Sequence, residues 1–242
     1  MATAFYPQRT EKPMVKKKWY ATWWGVTAII FVLFALTALA LFGWQVKRAY
    51  NDIRSQALQN FDAAADINRF RTPGPFMNLA IDGRPWLGAD QPKVTIVEFI
   101  DFNCPVCRAS YPVIREIINA HQADVKLIMR HFPVIAETSP LLALASECAH
   151  EQQLFWNLHD RFFQTENPAA NIGAAARQAG LNMSQFNSCM QERRHEDLIT
   201  RDEQAAWAAG ARGTPTWIIN GNLVSGEIPR DVFLQLIDAL VQ

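Results

Sequence analysis

Two cysteines separated by two residues form the motif Cys104-Pro105-Val106-Cys107, which directly follows an apolar, β-rich run. Pro105 suits the first position of a helix, because its missing N–H would have no intrahelical partner there. The free N–H groups and partial positive charge at a helix start favour a thiolate and lower the pKa of a cysteine. We therefore expect Cys104 to be the nucleophile of a redox-active dithiol and Cys107, one turn deeper, to be the resolving thiol.

The same spacing also occurs in half of a zinc site and in purely structural disulfides. A zinc site normally needs a second pair of ligands, but Cys148 and Cys189 are far apart, and the five histidines show no tight ligand spacing. A disulfide between Cys104 and Cys107 closes so short a loop that it restricts the unfolded chain little. The redox interpretation is favoured, with no metal and no haem, flavin or nucleotide cofactor, because the cysteines themselves are the redox centre.

The N-terminal part of the chain predicts a membrane anchor. Residues 1–20 form a short basic tail, and residues 21–44 contain no charged side chain. As a helix, the uncharged segment is about 36 Å long, enough to cross a bilayer core of about 30 Å. Basic residues before the span favour a cytoplasmic N-terminus, although Ala38-Leu39-Ala40 resembles the cleavage site of a signal peptide. Either way, the bulk of the chain lies outside the cytosol, where disulfides persist.

Residues 45–75 are expected to form a juxtamembrane helix and a linker. Within residues 45–70, apolar side chains recur at steps of three and four. This pattern favours either a short stalk that pairs two chains into a homodimer or a helix that lies on the domain or on the membrane. Residues 72–75, Thr-Pro-Gly-Pro, end this helix. The apolar stripe comprises Val46, Tyr50, Ile53, Ala57, Phe61 and Ala64.

The elements predicted for residues 76–242 have the order of a thioredoxin fold. Half of the 242 residues are hydrophobic and the net charge is zero, so neither a disordered chain nor a nucleic-acid-binding protein is expected. The order of the elements predicts the fold class α/β, a thioredoxin fold with an inserted helical domain, preceded by a single transmembrane helix. The expected elements are a short strand at 78–81, strands at 94–102 and 125–132 around a helix at 104–121, the helical insert at about 137–209, a hairpin at 216–224 and a closing helix at 229–241.

Four segments together resemble the DsbA-like branch of the thioredoxin superfamily, and the resemblance covers roughly residues 76–242. It implies an extracytoplasmic thiol–disulfide oxidoreductase, here anchored by a single span in a bacterial inner membrane with its catalytic domain in the periplasm. Protein thiols and disulfides are the implied substrates. The matching segments are VTIVEFIDFNCPVC (94–107), RHFP (130–133), ALASECAHEQQLFWNLHDRFF (143–163) and GARGTPTWIINGNLVSG (210–226).

The resemblance also implies roles for residues that face the substrate. Pro215 matches the family's cis-proline, which faces the dithiol, and the backbone of the preceding residue, Thr214, pairs with a bound substrate strand. A cis X-Pro bond is a fixed tight turn, and a proline offers no N–H that competes with substrate. Pro105 and Val106, between the cysteines, are expected to contact the substrate as well.

A buried acid completes the implied catalytic set. Glu98 stands six residues before Cys104, where the superfamily keeps an acid beneath the second cysteine. Burial on an apolar strand raises the pKa of a carboxyl group, so Glu98 could exchange a proton with Cys107. A solvent-facing strand residue is the alternative. Asp101 has the opposite strand parity to Glu98 and is expected to be a turn residue.

The remaining cysteines, Cys148 and Cys189, lie in the predicted insert. Several members of the family carry a second bridge between insert helices, so the resemblance favours a structural disulfide here over two free thiols or a second redox relay. Such a disulfide closes a loop of about 42 residues and contributes about 4 kcal/mol in the chain-entropy model.

The direction of electron flow is the least constrained property. Disulfide formation is favoured; a dedicated thiol reductase or isomerase, for example in cytochrome or metalloprotein maturation, and a non-catalytic assembly subunit are the alternatives. The strong oxidants of the family carry a histidine between the cysteines, whereas this chain has Val106, so a milder potential is expected. The dithiol then needs a membrane redox partner, either a DsbB-like or VKOR-like quinone-linked protein or a transmembrane reductant.

Overall fold

The described residues of the N-terminal unit form one long helix. The computed structural model describes residues 23–60 and 63–242, which divide into two units, residues 1–56 and 57–242. Helix α1 (Trp23–Asn60) is long and apolar enough over Trp23–Asp52 to cross a membrane. The hydroxyl of Thr37 donates to the carbonyl of Phe34 at 2.8 Å, so this polar group is satisfied within the helix. An apolar helix that fits a membrane anchor is thus confirmed, whereas the basic tail and the stalk side chains after Asp52 lie outside the described residues.

The second unit contains a five-stranded mixed sheet with the order β1-β3-β2-β4-β5. Strands β2 and β3 are parallel and are joined by helix α3, whereas the other pairs are antiparallel. Asn220 and Gly221 form the turn of the last hairpin with φ values of 47° and 78°, the left-handed backbone that this residue pair predicts. The strands are β1 (Trp86–Gly88), β2 (Val94–Ile100), β3 (Val125–His131), β4 (Thr216–Ile219) and β5 (Asn222–Ser225).

Helices cover both faces of this sheet. On one face, Ile114 of α3 and Phe233 of α9 pack with Ile96 of β2. On the other face, Ala206 of α8 packs with Phe99 of β2. The predicted thioredoxin fold is therefore confirmed. The helices of this unit are α2 (Ala63–Arg71), α3 (Pro105–Ala120), α4 (Ser139–His150), α5 (Phe155–Gln164), α6 (Ile172–Gln178), α7 (Met183–Glu192), α8 (Glu196–Ala209) and α9 (Arg230–Val241), with a 3₁₀ helix at Pro168–Asn171.

Two buried charge pairs join the helical insert to β3. His131 shares a hydrogen bond of 2.8 Å with Glu147 of α4, and each side chain is 1% exposed. Arg130 contacts Asp202 of α8 at 2.7 Å. Because neighbouring side chains on a strand point to opposite faces, the two pairs hold insert helices on both sides of the sheet.

The segment predicted as a linker packs against the second unit. Phe70 of α2 is 4% exposed and belongs to the same cluster as Phe233. Asn220 donates from its side chain to the carbonyl of Phe70 at 3.0 Å, and its own carbonyl accepts the N–H of Gly74 at 2.9 Å. A Cβ atom at Gly74 would lie 2.2 Å from the carbonyl oxygen of Gly221, so only glycine permits this approach.

The prediction of a strand at residues 78–81 is wrong. The N–H of Met77 donates to the carbonyl of Gly74 and that of Leu79 donates to the carbonyl of Phe76, so this segment forms local turns and has no ladder partner. The first strand is β1, which pairs with β3 over three residues.

Candidate active site

Cys104 occupies the N-cap of helix α3, directly after the turn that ends β2. Its backbone is extended, with φ −76° and ψ 119°, and Pro105 is the first helical residue. Its sulfur accepts the N–H of Cys107 at 3.5 Å. This is the arrangement that the motif predicts, because N–H groups at a helix start lack intrahelical partners.

The two thiols have opposite acidities. The pKa of Cys104 is lowered to about 6, first by its hydrogen bond with Cys107 and further by Thr214 and the N–H groups of Cys107 and Val106, although burial opposes the shift. The pKa of Cys107 is raised well above 9, chiefly by burial and then by its contact with Cys104 and the charge of Glu98. At neutral pH, Cys104 is therefore mostly thiolate and Cys107 is a thiol.

The loop before β4 brings Thr214 and Pro215 to the dithiol. The peptide bond between them is cis. In its protonated form, the sulfur of Cys104 donates to the carbonyl of Thr214 at 3.1 Å. The hydroxyl oxygen of Thr214 is buried and has no hydrogen-bond partner in the described part of the chain. The backbone and the side chain of Thr214 thus both lie at the reactive sulfur.

Glu98 lies on the sheet face that α3 covers. Its side chain is 4% exposed, which excludes the solvent-facing alternative. Burial raises its pKa to about 8, against an opposing contribution from Arg115. Glu98 is therefore mostly protonated at neutral pH, and its ionised form raises the pKa of Cys107 further.

Asp101 does more than the turn role that the sequence predicts. It is 1% exposed and accepts the N–H groups of Asn103 and Ile135, each at 2.8 Å. Its carbonyl accepts the N–H of Cys104 at 3.0 Å. Asp101 thereby ties the loop after β3 to the turn that carries Cys104. Strand parity alone could not reveal this, because Ile135 is distant in the sequence.

Pro105 and Val106 contribute no charge or hydrogen-bonding side chain to Cys104. Pro105 is exposed, whereas Val106 is partly buried against the core that contains both cysteines. The motif's inner side chains therefore leave the thiolate to be stabilised by the Cys107 thiol, by Thr214 and by backbone N–H groups.

The insert cysteines are joined to each other. Cys148 of α4 and Cys189 of α7 form a disulfide, with Cα atoms 5.7 Å apart, and both are fully buried. In the described part of the chain, one group of metal-ligand types is close together: Glu151, Cys189 and His195 lie within 4.8 Å. The sulfur of Cys189 is in the disulfide, and Glu151 is hydrogen-bonded to His195 at 2.7 Å, so these donors already have partners.

Comparison with known protein families gives a match over most of the second unit. Residues 81–239 match the family model described as thioredoxin. Among solved structures, a thioredoxin-like oxidoreductase from Silicibacter pomeroyi DSS-3 superimposes with a TM-score of 0.60 at 26% identity, covering 67% of this chain and 94% of that one.

Curated relatives are of two kinds. The Na(+)/H(+) antiporter NhaA 3 of Salinispora tropica is 33% identical over 138 residues, which is 55% of this chain but 21% of the antiporter. The chain thus spans about a fifth of the length of that relative. The probable disulfide bond formation protein D of Bacillus anthracis is 28% identical over 154 residues, covering 57% of this chain and 70% of that protein.

Proposed function

The chain belongs to the thioredoxin family, and we propose that it is a DsbA-like, extracytoplasmic thiol–disulfide oxidoreductase that forms disulfides in protein substrates. The observation that carries the proposal is the division of acidity between Cys104, with a pKa of about 6, and Cys107, with a pKa well above 9. A low-pKa thiolate leaves readily in disulfide exchange. The similarity to the disulfide bond formation protein D of Bacillus anthracis supports the direction.

The reaction begins with a disulfide between Cys104 and Cys107. A substrate thiolate attacks the sulfur of Cys104, the bond to Cys107 breaks, and Cys107 leaves with the electron pair and takes the proton of Glu98. A second substrate thiolate then attacks the substrate sulfur of the mixed disulfide and displaces Cys104 as a thiolate. The substrate loses two electrons and the dithiol gains them, so a DsbB-like or VKOR-like quinone-linked partner must reoxidise it.

The substrate is proposed to bind beside the cis-proline. Pro215 is buried and its preceding residue, Thr214, presents its backbone at Cys104. An extended substrate segment can therefore pair with Thr214 while its sulfur reaches Cys104. Pro105 and Val106 form the helix side of this contact, and the disulfide between Cys148 and Cys189 has a structural role in the insert.

Trapping tests the proposal directly. In Cys107→Ser, Cys104 can still form a mixed disulfide, but no thiol at position 107 remains to resolve it. When the full-length variant is expressed in its native host, substrates and the redox partner should therefore accumulate as adducts on Cys104. Non-reducing electrophoresis and mass spectrometry identify them. Cys104→Ser, the matched control, should trap nothing. An absence of adducts on Cys107→Ser would count against a general thiol oxidoreductase.

A thiol reductase or isomerase is the second candidate, favoured by the lack of a charged or hydrogen-bonding side chain at Pro105 and Val106. We expect a potential below that of a strong oxidant, which is about −120 mV. Equilibration of the Cys104–Cys107 couple with glutathione measures it, and a value near that figure would contradict the expected milder potential. The redox state of the two cysteines in cells separates the directions, since an oxidant is kept disulfide-bonded and a reductant is kept as the dithiol.

The apolar helix is proposed to anchor the chain in a bacterial inner membrane with the catalytic domain in the periplasm. Val46 and Tyr50, which follow the uncharged segment, are 52% and 63% exposed, as a pairing stripe requires. We propose that residues 45–70 can pair two chains through the part that precedes α2, because Phe70 of α2 is buried in its own unit. Crosslinking in membranes tests this, and a wholly monomeric pattern would exclude the homodimer.

A further inference from the structure

Glu98 receives no charge from the strands beside it. Its register partners are Met129 on β3 and Trp217 on β4, which are both uncharged. No ion pair of the Glu98 carboxyl is found in the described part of the chain. The cation whose field reaches it comes from Arg115 of α3 instead. The charge that acts on the Glu98 carboxyl therefore comes from α3 and not from the neighbouring strands.

Arg115 is held in place by groups of the helical insert. Its guanidinium forms an ion pair with Asp160 of α5 and lies 4.9 Å from the ring centroid of Trp156 and 5.9 Å from that of Tyr111. Its side chain is 21% exposed, and its Nε atom is fully buried without a hydrogen-bond partner among the described residues. A cation in such a partly dry position acts over a longer range than one in water.

The helix places this cation in line with the resolving thiol. Cys107, Tyr111 and Arg115 are four residues apart on α3, so they form one stripe along the helix. Ile114, next to Arg115, packs in the same cluster as Ile96, which shares the sheet face of Glu98. Cys107 and Arg115 therefore both belong to the helix that covers the acid.

We propose that Arg115 is a positioning residue which, together with its counter-ion Asp160, sets the protonation of Glu98 and thereby the exchange of a proton with Cys107. The role of Glu98 as proton partner rests on the proposed function. Arg115 favours the carboxylate and Asp160 favours the acid, so the insert adjusts how readily Glu98 gives up its proton. The other titratable groups around this network are His159, beside Asp160 at 2.9 Å, and Tyr111.

The physical need for Arg115 follows from burial. Burial alone holds a carboxyl group in its protonated form, which can donate a proton but cannot accept one. When the dithiol closes, Cys107 must lose its proton, and a carboxylate is the acceptor. Arg115 opposes burial and keeps the pKa of Glu98 at about 8, where both forms are accessible near neutral pH.

An infrared titration of the full chain in detergent tests the coupling. The dithiol is kept oxidised so that neither thiol titrates, and the carboxyl band of Glu98 is identified by its loss in Glu98→Gln. In Arg115→Met the pKa of Glu98 should rise by up to about one unit, whereas in Asp160→Asn it should fall. Simple opening of the site would admit water and lower the pKa in both variants. Shifts of equal sign, or no shift, would overturn the proposal.

Kinetics supply a second readout. The pH midpoint for closure of the mixed disulfide by Cys107 should rise in Arg115→Met and return towards the native value in Arg115→Lys, which restores the charge. In the Glu98→Gln variant, the further change Arg115→Met should leave the rate of closure by Cys107 unchanged. A different rate in the double variant would contradict the coupling between Arg115 and Glu98. Because the infrared titration needs no turnover, it decides the coupling even if the chain proves not to exchange disulfides.

Discussion

Thr214 is the residue through which the cis-proline loop influences the Cys104 thiol. Its carbonyl lies 3.1 Å from the sulfur of Cys104, and its buried hydroxyl has no hydrogen-bond partner in the described part of the chain. This side chain lowers the pKa of Cys104. The acidity of the thiol therefore depends on a side chain that the sequence places 110 positions away.

Replacing this hydroxyl should weaken the thiolate. In Thr214→Val the pKa of Cys104 should rise above 6 by up to about one unit, since the polar side chain that favours the charged sulfur is lost. The reduced form is then less favoured, so the potential of the dithiol should become more negative. The ultraviolet absorbance of the thiolate against pH measures the shift. Thr214→Ser keeps the hydroxyl and should behave like the native chain; an equal shift in both variants would refute the role of the hydroxyl.

Asp101 should prove structurally costly to replace. In Asp101→Asn one oxygen becomes an NH₂ group that faces a backbone N–H, which removes a buried acceptor and costs about 2 kcal/mol of unfolding free energy. Urea denaturation measures this loss. In Asn103→Ala, the control, only bonds from the Asn103 side chain to Thr138 and Ser139 are lost. If Asp101→Asn costs no more than the control, the buried carboxylate does not hold the loop.

For single residues, the sequence predicts those roles that follow from the position of the residue in its own helix or strand. Cys104 lies at the helix start that Pro105 predicts, and Glu98, six residues before it, lies buried as that position in the resembling family implies. The partners that adjust these groups are not visible in the sequence. Arg115 affects Glu98 only because α3 lies over β2, and Asp101 reaches Ile135 only because the loop after β3 folds back.

Among the helices and strands, regular patterns in the sequence predict the bounds well. Elements without such a pattern form only through their tertiary contacts. Strand β4 begins and ends as expected, and α3 and α9 differ from expectation by one residue at each end or less. Strand β1 was not expected, because three residues are too few for a periodic pattern and their pairing depends on β3. Likewise, Arg108 of α3 donates to the carbonyl of Phe162 at the end of α5, a contact that no local pattern indicates.

The contact between β3 and α4 should make stability depend on pH. Burial alone would raise the pKa of Glu147, but the hydrogen bond and charge of His131 outweigh it and leave that pKa below its usual value. A lowered folded-state pKa contributes stability that is present above the unfolded value of about 4.3 and is lost as the pH falls through the folded value. The pair should therefore stabilise the fold at neutral pH, and this contribution to the unfolding free energy should be lost as the pH falls through the folded-state pKa of Glu147.

Glu147→Gln tests this expectation. At pH 7 the variant should lose about 2 kcal/mol of unfolding free energy, because His131 loses its buried hydrogen bond to a carboxylate. Urea midpoints measured from pH 7 down to pH 3 should fall less steeply for the variant than for the native chain. Glu196→Gln is a suitable control, since Glu196 forms an exposed pair with Arg193. Parallel pH curves for Glu147→Gln and the native chain would contradict the assignment.

For the whole molecule, the folded unit begins earlier in the sequence than the composition indicates. The compact unit begins at residue 57, whereas the composition predicts a domain that begins at residue 76. Proline and glycine at residues 72–75 suggest a free linker, but the close contact of Gly74 with the hairpin at Gly221 depends on residues nearly 150 positions apart. Helix α2 is thereby part of the unit that carries Cys104 and Cys107.

Two fragments distinguish a docked α2 from a free linker. A fragment of residues 63–242 should be more stable than one of residues 76–242 by about 3 kcal/mol, the cost of removing a buried phenylalanine such as Phe70. This corresponds to a Tm difference of roughly 10 °C, measurable by circular dichroism. Phe70→Ala in the longer fragment should lose a similar amount, whereas Met77→Ala, at a side chain that is 49% exposed, should lose little. Equal Tm values for the two fragments would mean that α2 rests on the unit without stabilising it, and the shorter boundary would then describe the domain.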